Sequence, residues 1–255
     1  MGLRILERVQ GRYIRTAART FFRRPFSVQT QVPIISFTFD DFPRSALLTG
    51  GAILQRYGAV GTYYASFGLM GTEAPTGQIF LREDLDVLLK QGHELGCHTY
   101  DHYDSWETES RQFENSVLKN REALEEFCPG VSFQTFSYPI SPPRARTKRR
   151  VSRHFVCSRG GGQTFNVGTT DLNYLASYFL EKSRGEVQLV KDLIDRNREA
   201  RGWLILDTHD VSETPTPFGC TSSFFEEIVR YAVNSGGRVL PVLGAWTQIR
   251  GSAAS

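Results

Sequence analysis

Three short stretches carry side chains whose types and spacing suit hydrolytic chemistry. Asp40 and Asp41 follow the apolar run Ile34 to Phe39, so two carboxylates stand where a strand would meet solvent. Side chains alternate about a strand, so the two acids are expected to point apart and take different roles. His98 and His102 lie four residues apart after a second strand-like run. On one helical turn, that spacing presents both imidazoles to a single ion, and joined to a strand-end aspartate it predicts a Zn²⁺-type site. His209 follows the apolar run Leu204 to Leu206 with Asp207 and Asp210 at its sides. A histidine titrates near neutrality and can protonate a leaving amine. Its flanking acids either orient the ring or cap the next turn. His93 precedes its strand and is read as a core residue.

The elements needed to position these groups are visible as local patterns. Strand-like runs cover 34–39, 61–66, 94–98, 133–138, 154–158, 203–208 and 238–242, and helical patterns lie around 45–57, 82–91, 110–127, 143–152, 186–201 and 221–235. Alternation of this kind predicts βα units and a parallel sheet. With about seven strands and no glycine-rich dinucleotide loop, the expected fold is an α/β chain closed into a (β/α) barrel, incomplete or distorted, in which chemistry gathers at the carboxyl ends of the strands. The Gly-, Pro- and Thr-rich stretches 68–78, 160–170 and 212–221 are expected as loops over that face.

The chain has 255 residues, 40% of them hydrophobic and 22% charged, with a net charge of +3. One domain accommodates this length. No zinc-finger spacing, RNP-type motif or lysine tract is present, so nucleic acid is not an expected partner. Cys97, Cys128, Cys157 and Cys220 show no CxxC spacing and are too few for a disulfide scaffold, which fits a reducing, cytoplasmic compartment. No apolar run reaches the length of a membrane span.

The first residues differ from the rest. Arg4, Arg8, Arg12, Arg15, Arg19 and Arg23 recur at helical spacing, with Leu6, Val9, Tyr13, Ala17 and Phe21 displaced to another face. Arginines at this spacing interrupt any uninterrupted apolar stretch of a Sec-type signal. Residues 1–26 are therefore expected to form a basic amphipathic helix, ended by Pro25, beside a main domain at 32–250. Either the apolar face covers the barrel, or residues 3–23 lie on an anionic membrane at its inner face.

Taken in order, Thr38-Phe39-Asp40-Asp41, the run Gly92 to His98 leading into Thr99-Tyr100-Asp101-His102, Phe136-Ser137-Tyr138-Pro139 and Thr208-His209-Asp210 resemble the motifs of polysaccharide deacetylases of the NodB-homology type. The resemblance extends over residues 32–245. It implies a divalent ion, zinc by its ligand set, held by Asp41, His98 and His102, with Asp40 as general base and His209 as general acid. It also implies oxyanion stabilisation at the Tyr138 N–H with Pro139 beside it, and an N-acetylated carbohydrate as substrate. A chito-oligosaccharide, a surface polysaccharide and a lipid-linked amino sugar all fit. Stacking aromatics would come from Tyr63, Tyr64, Tyr103, Trp106, Phe165 and Phe218, each equally readable as buried.

One departure stands out. Serine occupies position 137, where many relatives carry an arginine that pairs with the base, leaving Arg44, Arg144 and Arg159 as candidate replacements. No aspartate matches the partner usually found for the acid histidine. Two other readings therefore stand beside the deacetylase: a hydrolase of non-sugar C–N bonds on the same fold, and a sugar-binding homologue weakened by the missing arginine.

Overall fold

The strand-like runs are apolar or β-branched on both faces, the pattern of parallel strands covered on both sides. They close into a barrel. The computed structural model describes residues 2–252, with side chains from residue 10 onward. Its barrel strands are β1 (Ile34–Phe39), β2 (Thr62–Ala65), β3 (Glu94–Cys97), β4 (Thr135–Ser137), β5 (Cys157–Gly161), β6 (Leu175–Phe179) and β7 (Trp203–Thr208). Each pairs in parallel with the next, and β7 returns to β1 from Trp203↔Ile34 to Thr208↔Phe39. The closure is irregular at one point. β2 pairs with β1 only at Thr38 and Phe39, and a short strand β8 (Arg238–Val239) fills the remaining edge at Ile34 and Ile35.

Three expectations need correction. The seventh barrel strand is β6, which the sequence reading passed over, while the run expected at 238–242 shortens to β8. The expected 154–158 strand is displaced to β5, which brings Arg159 into the barrel wall. Part of the loop expected at 160–170 is ordered as strand, since Gly168–Asp171 forms an antiparallel ribbon with Pro25–Val28.

Around the barrel lie α1 (Gly2–Thr20), α2 (Ala52–Arg56), α3 (Arg82–Lys90), α4 (Ser110–Phe127), α5 (Ala145–Val151), α6 (Val187–Ala200), α7 (Ser222–Asn234) and α8 (Val242–Ser252). Alternation along β1 and β7 sorts the core into two layers. Ile35, Phe37, Phe39, Leu204 and Leu206 pack outward against helix residues such as Phe225 and Ile228. Ile34, Trp203 and Ile205 point inward with Cys157 and Leu175, and α8 closes that end with Val242, Ala245 and Ile249. Further along, the inward positions turn polar: the Trp203 indole donates to Ser36 Oγ at 3.0 Å, and the Thr38 hydroxyl to Asp207 Oδ1 at 2.8 Å. The barrel is thus sealed with hydrocarbon at the amino ends of its strands and opens into charge at their carboxyl ends, where barrel sites form. The four cysteines are buried and unpaired.

Candidate active site

Asp40 leaves β1 with its N–H still donating to the Thr208 carbonyl at 3.1 Å, so its side chain follows the inward direction of Thr38. Its Oδ1 accepts from Arg159 Nη2 at 2.5 Å and its Oδ2 from the Ser137 hydroxyl at 3.1 Å. Arg159 Nη2 also donates to Asp207 Oδ1 at 2.5 Å, and the guanidinium lies 4.8 Å over the Tyr64 ring. Asp40, Asp207 and Arg159 are all buried. Burial pushes the Asp40 carboxyl up, but the charges of Arg159, His98 and His209 more than reverse this and hold it below the ordinary carboxylate range. Asp207 goes the other way: burial, reinforced by the Asp40 charge, raises it well above its usual value despite Arg159. The triad therefore keeps Asp40 as the anion and leaves Asp207 as its more readily protonated member.

The arginine absent from position 137 is supplied by β5. Of the three candidates, Arg44 pairs with Asp84 at 2.8 Å and Arg144 lies 5.6 Å over Trp106, so only Arg159 reaches the acid. Serine at 137 leaves room for that guanidinium and adds a hydrogen bond of its own.

Asp41 turns the other way, with φ of 62°, a left-handed conformation that non-glycine residues seldom adopt. Its Oδ1 lies 2.9 Å from His102 Nε2 and 3.5 Å from His98 Nε2, while Oδ2 accepts from Thr76 Oγ1 at 3.0 Å. The two histidines do not share a helical turn, contrary to expectation. His98 continues from β3 and His102 sits in an irregular loop, with Thr99 (φ 62°) and His102 (φ 53°) left-handed. Such strained positions persist where surroundings over-determine them. Here Ser116 Oγ of α4 accepts the Tyr100 and Asp101 N–H groups at 3.1 and 3.0 Å, and Gly68 N–H donates to the Tyr100 carbonyl at 3.0 Å. A Cβ on Gly68 would come within 2.5 Å of that carbonyl oxygen, so only glycine permits the approach.

His98 Nδ1 lies 2.9 Å from the Ser137 carbonyl, which can only accept, so Nδ1 carries the hydrogen and Nε2 presents a lone pair. Asp41 Oδ1 is buried with no hydrogen-bond donor, and one donor atom from each of Asp41, His98 and His102 lies within 4.8 Å of the others. A carboxylate and two imidazoles converging in this way fit a divalent ion with open coordination positions. Burial raises the Asp41 carboxyl and the two histidines bring it well below its usual value; burial lowers His102 and Asp41 raises it by more.

His209 follows β7 on the same end of the barrel, half-buried, with Nδ1 3.2 Å from the Phe218 carbonyl. Neither flanking acid orients it. Asp207 turns inward to Arg159, and Asp210 accepts the Thr216 N–H at 2.8 Å and its hydroxyl at 2.5 Å, pinning the loop after β7. Besides Asp40, the acid that feels the His209 charge is Glu181, just after β6 and unrecognised in the sequence along with that strand. Burial raises the Glu181 carboxyl, His209 opposes the shift, and Glu181 Oε2 is buried without a partner.

Tyr138 borders the same space, but its N–H donates to the Arg159 carbonyl at 3.2 Å; Pro139, expected beside it, does not line the groove, and its carbonyl accepts from the Ser105 hydroxyl at 2.9 Å. Of the aromatics considered for stacking, Tyr63 and Tyr64 are buried, Tyr103 and Phe165 pack against the core, Trp106 meets Tyr13 edge-on at 6.0 Å, and Phe218 is exposed at the groove. The groove has a volume of about 1000 Å³ and takes in Asp40, Asp41, His98, His102, Arg159 and His209, with walls from all three expected loops.

A family model described as polysaccharide deacetylase matches residues 27–155. Among curated proteins, a gellan lyase from Bacillus sp. is 24% identical over 165 residues, 57% of this chain and 6% of that protein, so the chain spans only a small part of the relative it matches. The fold is shared with a chitin deacetylase from Colletotrichum lindemuthianum (16% identity, TM-score 0.61, 84% of this chain and 88% of that one). It is shared equally with a family 4 acetyl xylan esterase from Clostridium thermocellum in complex with cobalt (18%, 0.60, 86% and 92%). A CE4-family pseudoenzyme from Bacillus anthracis has it too (12%, 0.58, 85% and 66%).

Proposed function

The chain belongs to the polysaccharide deacetylase family, and from that premise we propose that it is a metal-dependent hydrolase removing the N-acetyl group of an amino sugar. A divalent ion, zinc by the donor set, would be held by Asp41, His98 and His102 and would supply Lewis acidity toward the acetyl carbonyl. Asp40 accepts the proton of the attacking water. It is kept ionised for this by Arg159, and its Oδ2 is engaged only by a hydroxyl that can rotate. His209 protonates the leaving nitrogen: with Nδ1–H given to the Phe218 carbonyl, Nε2 is the nitrogen left for substrate. The Tyr138 N–H serves the oxyanion only by sharing its bond to the Arg159 carbonyl.

The observation that carries this reading is the Asp40–Arg159 pair beside the Asp41, His98 and His102 donors. It favours the hydrolase over a weakened homologue, the reading that rested on the arginine missing from position 137. Acetate release by zinc-loaded protein from a panel of N-acetylated glycans, with acetylated xylan and a non-sugar amide in parallel, tests it. Turnover of the ester or the non-sugar amide alone would overturn the amino-sugar assignment.

We also propose that α1 and the residues just after it rest on an anionic membrane, since Tyr13 of the helix and Phe21 beyond its end are exposed, as are Arg12 and Arg23. No described helix is long and apolar enough to cross a membrane. Basic residues near such a surface contribute about 1 kcal/mol each. Co-sedimentation with phosphatidylserine vesicles should weaken with salt and with the Tyr13→Ser/Phe21→Ser variant; equal pelleting of variant and wild type would remove this placement.

A further inference from the structure

The helix α1 borders the catalytic groove. Ala17 and Ala18, small and buried, face the barrel, and Lys148 of α5 fastens the helix end by donating to the Ala18 carbonyl at 2.6 Å and to Asp171 Oδ2 at 2.5 Å. This departs from the amphipathic face read from the sequence: Tyr13 and Phe21 are exposed, Ala17 is buried, and the Leu6 and Val9 side chains lie outside the described residues. Gly11 and Ile14 meet the groove, and with them Arg15 and Arg19.

Two arginines expected on a solvated face therefore line the space that holds Asp40, Asp41 and His98. Arg19 lies near Gly162, just beyond the strand that carries Arg159, since a Cβ on Gly162 would stand 3.8 Å from its Nη2. Among the described residues neither guanidinium has a hydrogen bond or an ion pair. The other cations of the groove are matched: Arg159 holds Asp40 and Asp207, and Lys182 stands 3.7 Å from Glu181. Glu73, in a short hairpin at the groove edge, is the other acid of the lining and has no ion pair among the described residues. Like charges four apart on a helix repel. A pair of unmatched guanidiniums on a mostly apolar groove is suited to an anion, because the planar fork of arginine binds phosphate or carboxylate oxygens in pairs.

Resting on the hydrolase reading above, we propose that Arg15 and Arg19 hold a phosphate or carboxylate carried by the substrate, so that the natural substrate is an anionic N-acetyl amino sugar and not a neutral chito-oligosaccharide. The acetyl group would reach the Asp41, His98 and His102 donors while the anion anchors at α1.

Calorimetric binding to the zinc-loaded full chain tests this without requiring turnover. Three probes suffice: N-acetylglucosamine 1-phosphate, a disaccharide of N-acetylglucosamine and glucuronate, and neutral diacetylchitobiose. The expected result is preference for one anionic probe over the neutral one, with the preferred probe identifying phosphate or carboxylate. Arg15→Gln and Arg19→Gln should each shrink that preference about tenfold, the strength of a charge-assisted contact. Arg19→Lys should recover part of it, and Arg56→Gln, at the end of α2 and outside the groove lining, should leave it intact. Glutamine is a good helix former, so α1 is retained. Equal binding of all three probes, or measurable binding by none, overturns the proposal. Arginine-dependent anion binding without acetate release would leave it standing while the hydrolase reading fell, and efficient hydrolysis of diacetylchitobiose with no anion preference would do the reverse.

Discussion

Asp40 and His209 stand at the ends of neighbouring, hydrogen-bonded strands, yet their surroundings differ in kind. Asp40 is buried and tied to Arg159 and Ser137, and through Arg159 to Asp207. His209 is half-buried on a loop, and both its backbone N–H and its ring Nδ1 meet the Phe218 carbonyl, at 3.3 and 3.2 Å. The proton acceptor proposed at Asp40 must stay ionised and fixed, which buried charge pairing achieves. The proton donor proposed at His209 must instead keep its Nε2 open to substrate, which a half-buried loop position allows. The two halves of the site thus use burial in opposite ways.

The largest effect expected from breaking this contrast is on stability. Arg159→Met leaves two buried carboxylates without a counter-charge and should cost about 3–5 kcal/mol, read from the urea midpoint, with Arg159→Met/Asp207→Leu recovering part of it. A wild-type midpoint for Arg159→Met would mean the triad is not coupled.

His93 supplies a comparison within one residue type. Burial depresses its pKa to about 4, and its Nδ1 accepts the Gly61 N–H at 3.0 Å, so the folded chain holds it neutral. Its unfolded counterpart takes up a proton below about 6.5. The contribution of His93 is therefore complete above that value and lost as pH falls from about 6.5 to about 4, amounting to on the order of 3 kcal/mol at most. Stability against pH for wild type and His93→Asn should converge across that window; parallel curves would refute the assignment.

Asp40→Asn should retain zinc and lose at least about a hundredfold in rate, since it removes the proton acceptor but none of the proposed ligands. Metal analysis and acetate release on the same sample check this, and loss of the metal along with activity would place Asp40 in the ligand set. The smallest structural disturbance is expected from His209→Ala: stability within about 0.5 kcal/mol of wild type and a rate loss of at least about tenfold, greater for more basic leaving amines. A large drop in thermal stability would show that the loop depends on the ring.

Much of the site was legible before the fold. Asp40, Asp41, His98 and His209 each follow a run of strand residues, and strand runs announce themselves through local hydrophobic pattern. The β6 strand was missed because Leu175–Phe179 reads LASYF, with no β-branched residue and with alanine and serine at its centre, so local pattern gives it little strand character. With it went Glu181.

What the sequence by itself determined is the order of the chemical groups and their attachment to strand ends, because periodicity and turn residues act over a few positions. What only the tertiary structure decided is which groups meet. Arg159 lies 119 residues from Asp40, yet the two touch because barrel closure turns the inward positions of β1 and β5 toward one axis. The same closure brings α1 and its arginines to the groove, where a helical period alone pointed to solvent. Contacts across a barrel depend on strand order, register and the space left by small residues such as Ser137 and Gly162, and none of these is encoded within the reach of a local pattern.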